Sequence, residues 1–158
     1  MTTASRSERA FLDAGVARIA PSLARYGFTY VPGDTASSSG GPFAVGYFRR
    51  GDFEIGLIVR NQRGLGCPNY SVGTGFAGHC DLMDTLGAQG SSHLIPGPWP
   101  TYVSADGSDV FEALAADLER FLIPVLMRSE EEFRAGLAKT IGERLDRLGI
   151  RPSKGHSA

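Results

Sequence analysis

The chain is poor in the residue types that usually announce a chemistry. It has two cysteines, three histidines and one tryptophan, and its only lysines are Lys139 and Lys154. Two cysteines, Cys67 and Cys80, are too few for a disulfide scaffold. They could pair with each other, but the N-terminus, Met-Thr-Thr-Ala-Ser-Arg-Ser-Glu-Arg, is polar and lacks the apolar segment of a secretory signal. Both are therefore read as reduced, in a cytoplasmic protein. No apolar run approaches the ~18 residues of a spanning helix. Charge of one sign is lacking too. The formal net charge is −1, where a nucleic-acid binder normally carries a basic stripe. Binding to nucleic acid or to an anionic membrane is not expected. There is no Walker-type loop, and Gly73-Thr74-Gly75 lacks the residues that would make it a phosphate cradle.

What is present is the ordinary material of a folded domain. The 158 residues are 42% hydrophobic and 21% charged, and a chain of that length hides roughly 70% of its unfolded surface. One α+β domain over residues 1–150 is expected, then a disordered polar tail, 151–158.

Leu12, Val16, Ile19, Leu23 and Tyr26 recur at spacings of three and four, which predicts a helix from about Ser7 to Tyr26. Pro21 should kink or split it, and Gly27 should stop it. Phe28 to Val31 is a short candidate strand. Gly33 to Gly41, without apolar content, reads as a mobile loop. The strongest signal is Phe43 to Arg60, an antiparallel hairpin around Gly51-Asp52. That turn pairs Arg50 with Phe53 and fixes every other pair. Ala44, Gly46, Phe48, Phe53, Ile55, Leu57 and Val59 fall on one face, assigned to the core. Tyr47, Arg49, Glu54 and Arg60 fall on the other, with Arg49 opposite Glu54. The small residues Ala44 and Gly46 would let a helix approach closely. Asn61 to Gly66 reads as a turn, Cys67 to Gly73 as a strand, Gly75 to Gly78 as loose chain, and His79 to Leu86 as a short helix ended by Gly87. Ala88 to Gly107 is a long Gly/Ser/Pro loop holding Trp99, with Thr101 to Val103 a candidate strand. Two C-terminal helices follow, one capped by Ser108 and ended or kinked at Pro124. The other opens on the capping box Ser129-Glu130-Glu131-Glu132 and carries the stripe Phe133, Leu137, Ile141, Leu145, Leu148 before Gly149. The expected architecture is an antiparallel sheet of about four strands packed on an N-terminal helix and C-terminal helices.

Candidate chemistry is sparse. Cys67, His79, Cys80 and His93 have the donor atoms for zinc, but adjacent His79 and Cys80 do not match the spacing of structural sites. Buried small apolar residues account for the cysteines, and no metal or cofactor is expected. Cys80 beside a helix start, with His93 as base, would be a nucleophile pair, but no oxyanion hole is recognisable and no catalytic residue is assigned. Asp81 and Asp84 share a helix face that solvation explains. Arg50-Gly51-Asp52 spells an integrin tripeptide that the hairpin turn itself accounts for. The surface of most interest joins Tyr47, Arg49 and Arg60 with Tyr70, His79 and Trp99, because aromatic residues and Arg are enriched at interfaces. An ordinary amphipathic sheet face covered by its own long loop or by a C-terminal helix is the competing reading.

The order helix, hairpin, strand, His79-Cys-Asp-Leu-Met-Asp-Thr-Leu-Gly87, then two helices resembles small uncharacterised bacterial α+β proteins, some similar to the immunity proteins of polymorphic toxin systems. The resemblance covers about residues 7 to 126 in layout, and in residues only the stretch His79–Gly87. It implies a non-enzymatic protein that binds a toxin domain. The expectation is therefore a protein-binding module acting through the exposed sheet face and the Trp99 loop. A small-molecule binder or enzyme, with a pocket between the sheet and the 88–107 loop near His79 and Tyr70, is the alternative. A homodimer through the same face is the third.

Overall fold

The structure, a computed structural model, describes residues 3–60, 64–66, 68–73, 75–85, 94–95, 100–103, 109–123 and 130–150. Helix α1, Thr3–Ala24, runs through Pro21 as one helix. Its apolar stripe, Leu12, Val16, Ile19 and Leu23, is buried. It stops where the sequence places the stop. Gly27 takes a φ of +82°, Phe28 N donates to Leu23 O and Gly27 N to Ala24 O. This is the Schellman arrangement, with Phe28 and Leu23 as its apolar contact.

Strands β1 (Thr29–Ser38), β2 (Gly41–Arg50) and β3 (Phe53–Arg60) form an antiparallel meander. The β2–β3 register is the one the turn dictates, from Arg50↔Phe53 to Phe43↔Arg60. Gly51 holds a φ of +59° at the first turn position, which a residue with a side chain rarely adopts. Ala44, Phe48, Phe53, Ile55, Leu57 and Val59 are all buried. The room at Gly46 is taken by the Tyr30 ring rather than by a helix.

The sheet is larger than the four strands expected. Short strand β4 (Leu65–Gly66) pairs with β3, β5 (Asn69–Val72) pairs with β3 and with β6 (Gly75–Gly78), and β7 (Leu94–Ile95) and β8 (Thr101–Tyr102) extend the β4 side. Gly75–Gly78, read as loose, is a strand because Gly73, at a φ of +57°, turns the chain back on itself. Leu65–Gly66, read as turn, is likewise paired.

Residues 33–38, read as a mobile loop, are the second half of β1. The reason lies in α1. The strands part at a bulge between Pro32 and Thr35, and the Arg9 guanidinium fills the opening. It donates to Gly33 O and Val45 O at 2.8 Å each, to Asp34 O at 3.2 Å and to Thr35 Oγ1. One side chain thus satisfies carbonyls the bulge takes out of the ladder.

Helix α2 (His79–Thr85) follows β6 directly. Helix α3 (Val110–Asp117) is capped by Asp109, not Ser108, which lies outside the described residues. Asp109 Oδ1 accepts from Phe111 N at 2.8 Å and its carboxylate pairs with Arg18 of α1. Helices α1 and α3 meet at Gly15, where a side chain would collide with the Phe111 ring. A π-helical turn, Leu118–Leu122, continues α3. Helix α4 (Glu130–Arg147) ends on a second Schellman stop at Gly149. Leu137 is buried, whereas Leu148 is 61% exposed and so falls off the expected stripe. Arg134 clamps Asp52 of the hairpin turn through both carboxylate oxygens and holds that carboxyl below its usual pKa. Leu86, Gly87, Pro124, Ser129 and the 151–158 tail lie outside the described residues. The core sits between the inner sheet face and the helices, with Leu82 and Met83 of α2 and Val110, Phe111 and Leu114 of α3 closing it. No helix among the described residues is long and apolar enough to cross a membrane.

Arg9→Met keeps the apolar stem and removes the guanidinium. It is expected to cost about 2 kcal/mol in urea denaturation and to raise amide exchange in residues 33–38 selectively. Uniform exchange along the sheet would contradict the role assigned to Arg9.

Candidate functional site

The register sorts the candidate residues onto opposite sides of the sheet. On the outer face, Thr29, Arg49, Glu54, Ser71 and Phe76 form one row across five strands. Val31, Tyr47, Gly56, Asn69 and Gly78 form the next, Val45 and Ile58 a third, and Phe43 and Arg60 a fourth. Large side chains here lie down over glycine: Tyr47 and Val45 crowd the space above Gly33, and Ile58 that above Gly66. Between Tyr47 and Phe76 the floor is low, built from Gly56, Asn69 and Ser71. The result is a half-open trough of about 220 Å³ lined by Val45, Tyr47, Glu54, Ile58 and Phe76 among others. Three arginines of this face, outside the trough lining itself, lie over aromatic rings: Arg49 over Tyr47, Arg60 over Phe43 and Arg144 over Phe76. The expected cross-strand pair is formed, with Arg49 Nε donating to Glu54 Oε2 at 2.6 Å.

His79 is elsewhere. Tyr70, although it is among the trough's lining residues, pairs with Ile55 and so turns its side chain inward, contrary to its expected place beside Tyr47. Both Tyr70 and His79 are fully buried. They belong to a chain of polar groups inside the core. The Tyr70 hydroxyl lies 2.5 Å from His79 Nδ1, the Tyr102 hydroxyl 2.9 Å from His79 Nε2, and Tyr102 donates to Asp117 Oδ2 at 2.7 Å. Donor accounting sets the direction. Tyr102 has one proton and gives it to the Asp117 carboxylate, so its oxygen accepts from His79. The His79 proton is then on Nε2, and Nδ1 accepts from Tyr70. A neutral imidazole satisfies every one of these bonds, and burial pushes the His79 pKa down to about 4 against the pull of Asp117. With no exposed member, the chain joins β5, α2, β8 and α3 into one core.

The zinc set is not assembled among the described residues, where no group of His, Cys, Asp and Glu could hold a metal. Both ring nitrogens of His79 face tyrosine hydroxyls. Cys80 is half-buried, and Cys67, His93 and Trp99 lie outside the described residues. Asp81 pairs with Arg147, and the Asp84 side chain is likewise not described. In the Arg-Gly-Asp tripeptide Arg50 donates to Tyr26 O and covers Phe28 while Asp52 is held by Arg134, so the turn is engaged with its own fold. Sequence reasoning missed Tyr102, Asp117, Phe76 and Arg144. Asp117 did carry a signal, an acid at a core position of the Val110–Leu114–Leu118 stripe.

Compared with protein-family models, with curated proteins and with solved structures, the chain matches none.

The buried imidazole makes stability depend on pH in a definite direction. His79 protonates near its ordinary 6.5 when unfolded and only near about 4 when folded. Between those values the unfolded chain binds the extra proton, so the contribution is complete above pH 6.5 and lost as pH falls toward 4. The expected loss is on the order of 2–3 kcal/mol, read by denaturation at pH 7.5 and 4.5. His79→Gln should flatten that slope relative to the parent, and an unchanged slope would contradict a neutral buried His79.

Proposed function

We propose that this protein is a non-enzymatic binding module that presents its outer sheet face to a protein partner. The observation that supports this most is the separation of the two faces. Among the described residues the Tyr70–His79–Tyr102–Asp117 chain is sealed in the core, whereas the outer face carries a shallow trough of about 220 Å³, below the ~300–1,000 Å³ of ordinary small-molecule pockets. Its lining, aromatic and aliphatic side chains rimmed by arginine, is the composition of an interface centre. Tyr47, Arg49 and Arg60 lie on this face. Trp99, outside the described residues, takes part in the proposal only through its sequence. A toxin domain is the partner that the immunity-type resemblance implies.

The reading is tested by pairing Tyr47→Ala with Ile58→Asp. Neither side chain supports the core, so thermal melting should change little. A partner that copurifies stoichiometrically with the parent chain from its own cells should be lost, its affinity reduced by about tenfold or more. A parent chain that recovers no specific partner, or a double variant that keeps it, would sink the proposal. Light scattering at micromolar concentration distinguishes a heterologous partner from a homodimer, which the same variant would dissociate.

A further inference from the structure

The outer face also says what kind of partner fits it. Building on the binding-face reading above, we propose that the trough receives an acidic amphipathic helix, apolar side chains down and Asp or Glu side chains toward Arg49, Arg60 and Arg144.

Charge is the first reason. The face carries three guanidiniums, at 5.2, 5.3 and 4.7 Å from the Tyr47, Phe43 and Phe76 ring centres. Against them stand two carboxylates, each already held by an arginine: Glu54 by Arg49, and Asp81, beside Gly78, by Arg147. Arg60 also donates to Ser38 Oγ. A chain whose overall charge is −1 thus places Arg49, Arg60 and Arg144 at the rim of its trough. An arginine held over a ring is partly pre-organised, so it meets a carboxylate at less further cost in side-chain entropy.

Shape is the second. Tyr47 on β2 and Phe76 on β6 stand three strand spacings apart, about 14 Å, and a helix with its side chains is about 10–12 Å across. From Glu54 to Arg60 along β3 is about 20 Å, the length of a helix of about 13 residues. An extended peptide would instead seek a sheet edge. The β1 edge is blunted by Pro32 and by the bulge whose Gly33 and Asp34 carbonyls Arg9 already engages, and the β6 edge is four residues long. Single-stranded nucleic acid also likes arginine and aromatic rings. Here each ring already has a guanidinium over it, which leaves no open ring face for a base to stack on.

The test is selection of a displayed random peptide library, about 16 residues long, on the full-length chain, followed by fluorescence anisotropy of the selected peptides. Selected sequences should carry Leu, Ile or Phe at spacings of three and four with Asp or Glu between them. Arg60→Ala and Arg144→Ala should each weaken binding about fivefold, Glu54→Gln should strengthen it, and added salt should weaken it. Peptides that depend on Tyr47 but show no acidic bias and ignore Arg60 and Arg144 would overturn the acidic helix and leave the binding face standing. A selection that yields no peptide dependent on Tyr47 would overturn both. A 16-mer of oligothymidylate that outcompetes the peptides at the same arginines would overturn the helix in favour of nucleic acid.

Discussion

Everything distinctive about this protein depends on the phase of one hairpin. Gly51, at a φ of +59°, reverses the chain between β2 and β3, and a slip of one residue there would exchange the two faces of the sheet. In the observed register the strictly apolar set, from Ala44 to Val59, faces the helices, and the mixed set, from Phe43 to Glu54, faces out. Arg134 holds Asp52 of the same turn from the last helix. The turn is therefore also where the C-terminal part of the chain is tied to the sheet.

The two faces meet different physical demands. Inside, the polar groups lean on one another: Tyr70, His79 and Tyr102 pass hydrogen bonds in one direction toward Asp117 Oδ2, and the imidazole stays neutral. Buried hydrogen bonds of this kind tie together the elements that carry them. Outside, glycines at 33, 56 and 66 keep the relief low, so large side chains lie flat and rings remain beside arginines. A sealed polar chain and an open aromatic–arginine trough are separated by one layer of backbone. The first is closed to solvent, whereas the second is partly exposed.

How much of this was legible in the sequence follows from the range of the interactions. The hairpin register and both helix stops at Gly27 and Gly149 were legible because each is set by a few consecutive residues. Residues 33–38 were not, because their strand depends on Arg9, a helix away, to satisfy a bulge. Tyr70 was placed on the wrong face because no local turn fixed the phase of β5 against β3; Pro68 marked only its approximate start. The β6 strand was missed because Gly75 and Gly78 lower its strand propensity, and only its pairing with β5 forms it. The outer-face positions of Tyr47, Arg49 and Arg60 came directly from the hairpin, whereas Phe76 and Arg144 joined them through tertiary packing. The inward site needed Tyr102 and Asp117, whose meeting with His79 no spacing announces.

The central claim is that neighbouring positions on the same strands are sealed on one side and open on the other. The most direct measurement is paramagnetic broadening of side-chain NMR signals by a soluble gadolinium chelate. The account predicts strong broadening at Val45, Tyr47 and Ile58 and little at Ile55, Leu57, Tyr70 and Tyr102. Equal broadening of the two sets, or protection of Val45, Tyr47 and Ile58, would contradict it.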